Sequence, residues 1–138
     1  EELEKTNFER YARYKTVEEN EVLYEEYMMD DADICVVAFG IASRVAKNAV
    51  AQAREQGIKV GLIRPITLWP FPTEVLNKAA DKCKAFISVE MNMGQMVNDI
   101  KIAIDCKKPV YHYGRTGGMI PSPEDILAKI EELTGGNA

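Results

Sequence analysis

Four short apolar runs recur along this chain, at residues 34–39, 60–63, 85–89 and 110–113, and each gives way to a polar or glycine-rich loop. The loops hold residues 40–44, 64–72, 90–95 and 114–118. Between the runs lie stretches with helical spacing. Val45, Ala46, Ala49, Val50 and Ala53 share one face, after Ser43 as a predicted cap and before Gly57 as a predicted stop. Val75, Leu76, Ala79 and Ala80 follow Thr73, and Met96, Val97, Ile100, Ala103 and Ile104 form a third stripe. Ser122, with Pro123 behind it and Asp125 three residues on, opens a last helix carrying Ile126, Leu127, Ile130 and Leu133. Strand–helix alternation predicts βαβ units with right-handed crossovers. The fold class is α/β: a three-layer α/β/α sandwich with a mainly parallel sheet covered on both faces. Parallel strands send all four loops to one edge, where ligands and partners bind in open sheets.

The first thirty residues differ from the rest. They carry ten acids against four bases, whereas residues 31–138 carry twelve against thirteen. Residues 1–15 show no sustained period. Thr16 and Glu19 have the spacing of a capping box, which predicts a helix over residues 16–29 presenting Leu23 and Tyr27. Residues 1–30 therefore read as an acidic linker and helical extension, and residues 31–138 as the α/β domain. Glu1 rather than a methionine opens the chain, as expected of a fragment or processed product.

Several function classes lose support at once. No basic face exists for phosphate backbones, so nucleic acid is not an expected partner. No apolar run approaches a membrane span, and the acidic start is unlike a signal peptide. Cys35, Cys83 and Cys106 are widely spaced with no Cys-x-x-Cys pair. They read as reduced, core-type thiols in a cytoplasmic setting, without a metal or cluster site. One histidine, His112, lies in a predicted strand and reads as a core or sheet-face residue. Glu90 follows the third run as an isolated carboxylate with no second titratable group near it in sequence. No catalytic residue is expected on this chain.

The loops carry the remaining candidates. Ser43 and Arg44 stand where a strand turns into a helix amino terminus, a place that favours anions, although neither a dinucleotide fingerprint nor a P-loop is present. Arg115 among Gly114, Gly117 and Gly118 can converge on an anion, or the glycines merely allow positive φ in a long connection. Both readings stay open. Pro65, Pro70 and Pro72 stiffen a loop that exposes Trp69 and Phe71 for docking, or that covers the domain's own core.

A resemblance extends these readings. Asp31-Ala32-Asp33-Ile34-Cys35-Val36-Val37-Ala38-Phe39-Gly40, Arg64-Pro65-Ile66-Thr67-Leu68-Trp69-Pro70-Phe71-Pro72 and Val89-Glu90-Met91-Asn92-Met93-Gly94-Gln95-Met96 resemble one family. It is the carboxyl-terminal part of the alpha subunit of 2-oxoacid:ferredoxin oxidoreductases, above all the 2-oxoisovalerate (2-ketoisovalerate) and 2-oxoglutarate branches. Residues 16–133 are covered, with looser kinship to the transketolase carboxyl-terminal domain. The resemblance implies an enzyme that decarboxylates a 2-oxoacid on thiamine diphosphate and magnesium. Electrons would pass through iron–sulfur clusters to ferredoxin, and an acyl-coenzyme A would form. The family's cofactor residues do not carry over: the Gly-Asp-Gly motif is absent, and Glu90 does not map to the glutamate that activates thiamine. None of these cofactors is expected to be bound by this domain alone. The chain is expected to contact other domains and subunits, and ferredoxin only indirectly. Arg64, Thr67, Trp69 and Phe71 would dock, while Arg115, Asn92 and Gln95 would border the coenzyme A or substrate entry path. The alternative is a free-standing module for a phosphorylated small molecule, seated on Ser43, Arg44 and Arg115.

Overall fold

The computed structural model describes residues 1–135. Helix α1 (Glu2–Asn20) is followed by strands β1 (Tyr24–Tyr27) and β2 (Ile34–Ala38), helix α2 (Gly40–Glu55) and strand β3 (Val60–Pro65). Helix α3 (Thr73–Lys82), strand β4 (Ala85–Glu90), helix α4 (Met96–Ala103), strand β5 (Val110–Gly114) and helix α5 (Pro123–Leu133) complete the order. The five strands form one sheet in the order β1-β3-β2-β4-β5. β2, β3, β4 and β5 pair in parallel, and β1 lies antiparallel on the β3 edge.

Alternating side chains of the sheet feed two cores. Cys35, Val37, Ile63 and Phe86 pack against Leu76, Ala80, Met96 and Ile100 of α3 and α4. Val36, Ala38, Leu62, Ile87 and Val89 pack against Ala46, Ala49, Val50, Ile126 and Ile130 of α2 and α5. The central strands are covered on both sides, which explains why their sequences are continuously apolar. Each fully buried Ile or Phe contributes roughly 1.5–3 kcal/mol. The alanines of α2 let that helix approach the strands closely. The last helix starts as its sequence dictates: Ser122 Oγ accepts from the Asp125 amide at 3.1 Å.

Three local expectations are corrected. The helix placed over residues 16–29 is instead α1, which ends at Asn20, and Thr16 sits inside it with Oγ1 donating to the Ala12 carbonyl. Residues 24–27 form β1 because tertiary pairing overrides the weak helical signal. Tyr24 registers with Pro65 and Glu25 with Arg64, and Arg64 Nη1 lies 3.0 Å from Glu25 Oε2. Ser43 does not cap α2. The helix opens at Gly40 after an extended Phe39, and Ser43 Oγ donates back to the Gly40 carbonyl at 2.6 Å. Cys106 is not a core residue: it is exposed, with φ +53°, just past α4, whereas Cys35 and Cys83 are buried.

Candidate functional site

The parallel strands bring the four loops to one edge, and the sheet order divides them into two neighbourhoods. Arg64, Thr67, Trp69 and Phe71 gather beside β1 and β3, while Asn92, Gln95 and Arg115 gather beside β4 and β5.

At the β4–β5 end, Glu90 organises the loop. Its carboxylate is 1% exposed. Oε1 accepts from the amides of Gln95 (3.0 Å) and Met96 (2.6 Å). Oε2 accepts from the Val97 amide (3.1 Å) and from Ser88 Oγ (2.9 Å). Those amides are the free donors of the first turn of α4, whose own N-cap, Gln95, supplies no side-chain bond. Burial pushes the Glu90 carboxyl upward, but the three amides and Ser88 outweigh it and hold the group below its ordinary range. A carboxylate so saturated is a fixed anionic cap, not a general base.

His112 lies beside it, with Nε2 buried, unpartnered and 3.7 Å from Glu90 Oε2. Along the chain no second titratable group lies near Glu90. The signal was across it: Ser88 registers with His112 and Glu90 with Gly114, so one sheet face carries Ser88, Glu90 and His112 together. Gly114 is needed there, since a Cβ would collide with the Asn92 carbonyl and the His112 ring. Asn92 Oδ1 accepts from the Gly94 amide at 2.7 Å and closes the tight loop. Gln95 remains exposed at its rim. Arg115 turns away: Nη1 lies 3.5 Å from Asp125 Oδ2 in the first turn of α5, while its amide donates to the Glu90 carbonyl. Asp125 is held below the usual carboxylate range, first by the Ser122 hydroxyl and also by Tyr113 and Arg115.

At the other end, the proline-rich loop is tied down by Thr67. Its Oγ1 accepts from the Leu23 amide (3.0 Å) and donates to the Pro70 carbonyl (2.8 Å). Phe71 packs on the α3–α4 core. Trp69 stays exposed and meets Tyr14 of α1 edge-to-face at 5.7 Å. Ser43 and Arg44 share a cleft of about 390 Å³ with Glu25, Tyr27, Lys47 and Arg64. Ser43 is buried, Lys47 lies 4.8 Å over the Tyr27 ring, and Arg64 Nε is buried without a partner. Among the described residues, no group of three or more His, Cys, Asp or Glu is placed to hold a metal ion. No helix among them is long and apolar enough to cross a membrane.

Known proteins resemble this chain in sequence and fold. The pyruvate:ferredoxin oxidoreductase core domain II family matches residues 32–126. The ketoisovalerate oxidoreductase subunit VorB of Methanothermobacter marburgensis is 55% identical over 134 residues, which is 97% of this chain and 38% of that protein. The chain thus spans well under half the length of this relative. Among solved structures, the 2-oxoglutarate:ferredoxin oxidoreductase of Magnetococcus marinus, with 2-oxoglutarate, coenzyme A and succinyl-CoA bound, superposes with a TM-score of 0.78. The match has 22% identity and covers 94% of this chain and 23% of that one. A split-gene transketolase superposes with a TM-score of 0.65 at 18% identity, over 78% of this chain and 40% of that one. The transketolase-like three-layer fold expected from the sequence is the fold found.

Proposed function

The chain belongs to the pyruvate:ferredoxin oxidoreductase core domain II family, and from that premise we propose that it is a domain of a ketoisovalerate-type 2-oxoacid:ferredoxin oxidoreductase subunit. The observation that carries the substrate branch is the 55% identity to a ketoisovalerate oxidoreductase subunit over 97% of this chain. The domain contributes contacts to the rest of the subunit and to neighbouring subunits, in a cytoplasmic enzyme that reduces ferredoxin. It is not catalytic alone.

The described residues do not fit thiamine diphosphate, magnesium or an iron–sulfur cluster. Glu90, the carboxylate best placed to meet a cofactor, spends both oxygens on four donors of its own chain, and Cys35 and Cys83 are buried apart from the edge loops. Those groups belong to the rest of the enzyme. We assign to the β4–β5 edge the part of a rigid wall. The Glu90 cap fixes the loop bearing Asn92 and Gln95, and the Arg115–Asp125 pair fixes the loop beside it, so that both border the coenzyme A or substrate path at little entropic cost. Residues 1–30 serve as the acidic extension and residues 31–138 as the α/β domain, with β1 of the extension added to the edge of the sheet beside β3.

Reconstitution tests this. The complete enzyme should oxidise 2-ketoisovalerate with ferredoxin and coenzyme A, and enzyme lacking residues 22–135 should lose turnover and assembly together. Full turnover without the domain overturns the proposal. The Arg44–Lys47–Arg64 cleft favours a second reading, a seat for a phosphorylated small molecule. Calorimetry of the chain with coenzyme A supports it only where binding is abolished by Arg44→Ala.

A further inference from the structure

Helix α1 is nineteen residues long and buries none of them. Leu3, Phe8 and Tyr11 are 70–73% exposed, Tyr14 is 47% exposed and Trp69 of the proline-rich loop is 55% exposed. These five form a single band. Tyr11 meets Tyr14 edge-to-face at 5.8 Å, and Tyr14 meets Trp69 at 5.7 Å, so the helix face runs without a break onto the body of the domain. Exposed aromatics of this number present on the order of 600 Å² of largely apolar surface, against roughly 800 Å² per partner in a standard interface. Tyr and Trp are also the residue types that concentrate binding energy. With no buried side chain and Tyr14 on Trp69 as its contact with the sheet domain, α1 gains little from tertiary packing, the main source of helical stability in proteins.

We infer that this band is the seat of the remainder of the subunit, the part of the polypeptide that the relatives carry beyond this region; the inference rests on the domain reading above. Two observations choose that occupant over a second copy. The 55% identical relative aligns over all but a few residues of this chain, so an equivalent of α1 accompanies the domain in a polypeptide of which this region is only 38%. The superposition on the 2-oxoglutarate enzyme covers 94% of this chain, leaving out fewer residues than α1 contains. At least part of α1 therefore has a counterpart in a chain of which this fold is 23%. A covalently joined partner acts at millimolar effective concentration, which a separate copy does not reach in dilute solution. Glu1 and Glu4 flank the band beside Leu3 and Phe8, so the covering surface is apolar with basic groups facing that end.

The test is amide hydrogen exchange on the full-length subunit, comparing wild type with the double variant Phe8→Glu, Tyr11→Glu. A covered α1 shows protection of about 100-fold or more over unstructured rates. The double variant should lose at least about tenfold of it, although glutamate is the better helix former. Ile102→Glu, an equally exposed apolar position on α4, should leave it unchanged. Unprotected α1 in the wild type, or protection indifferent to the double variant, overturns the inference. So does protection that rises with protein concentration alongside dimers in sedimentation, which names a second copy as the occupant. Exchange needs no turnover. An inactive subunit with a protected α1 refutes only the functional reading, and an active one with an exposed α1 refutes only this inference.

Discussion

Removing the Glu90 carboxylate should be the most damaging single truncation at the carboxyl edge. Glu90→Ala takes the acceptor from the amides of Gln95, Met96 and Val97 and from the Ser88 hydroxyl. Met96 and Val97 are buried, so water reaches their amides poorly, and a buried donor left unpaired costs roughly 1–3 kcal/mol. The negative charge at the start of α4 is lost as well, at up to about 1–2 kcal/mol in a partly buried geometry. Relief of carboxylate burial and water entering beside exposed Gln95 offset part of this. The net loss is about 3 kcal/mol, and with an unfolding entropy near 2 cal/mol/K per residue it lowers Tm by roughly 10 °C. Glu90→Gln keeps one carbonyl oxygen and exchanges the other for a donor facing Val97 N–H, so about half the loss is expected.

The assay is guanidinium denaturation followed by circular dichroism at several pH values. Because the folded carboxyl is held below the ordinary value of 4.5, the ionised cap stabilises fully above pH 5 or so and less as pH falls through its folded value. The gap between wild type and Glu90→Ala should thus be flat near neutrality and shrink in acid. A loss under about 0.5 kcal/mol, or a gap that widens in acid, refutes the reasoning.

Three further outcomes follow from the same geometry. Gly114→Ala drives a Cβ into the Asn92 carbonyl and the His112 ring, and should cost about 1–3 kcal/mol by denaturation, whereas Gly117→Ala, with open space around it, should lose only the strain of its positive φ. Alkylation followed by mass spectrometry at pH 8 should label Cys106 first. Cys83 is pushed up to about 11 by burial, and burial also raises Cys35 well above the ordinary thiol range, so neither offers thiolate in the fold. Thr67→Val removes the hydroxyl that joins Leu23 to Pro70, and should cost about 1–2 kcal/mol while shifting Trp69 fluorescence.

How much of this was legible in sequence depended on whether the signal was local. The strands and the helices over their faces were readable because each position's burial repeats with the period of its own element: Val36 and Val37 feed opposite cores, and the alanines of α2 fall every third or fourth residue. β1 was not readable. Tyr24 to Tyr27 have no periodicity that distinguishes a strand, and what makes them one is register with residues 62–65, about forty positions on. The Glu90 cap was missed although its donors lie within seven residues, because the carboxylate reaches α4 from the end of β4 and not from the N-cap position. Only His112, close but not hydrogen-bonded, comes from the neighbouring strand.

The α1 band escaped detection for a different physical cause. Its apolar positions share their face with Glu4, Asn7, Lys15 and Glu18, so hydropathy averaged around the helix cancels. That pattern is what a helix needs if it must survive in water before its partner covers it. A cleanly amphipathic helix would collapse onto its own domain or onto another copy, whereas an aromatic band broken by charges resists both and still offers Tyr and Trp as anchors. Trp69, expected from the sequence as a docking residue, then gains a neighbour that the proline-rich loop alone did not show. Held out by the Thr67 clamp and braced by Tyr14, it is the point where the extension and the sheet domain present one surface, so the proposed seat is continuous across both.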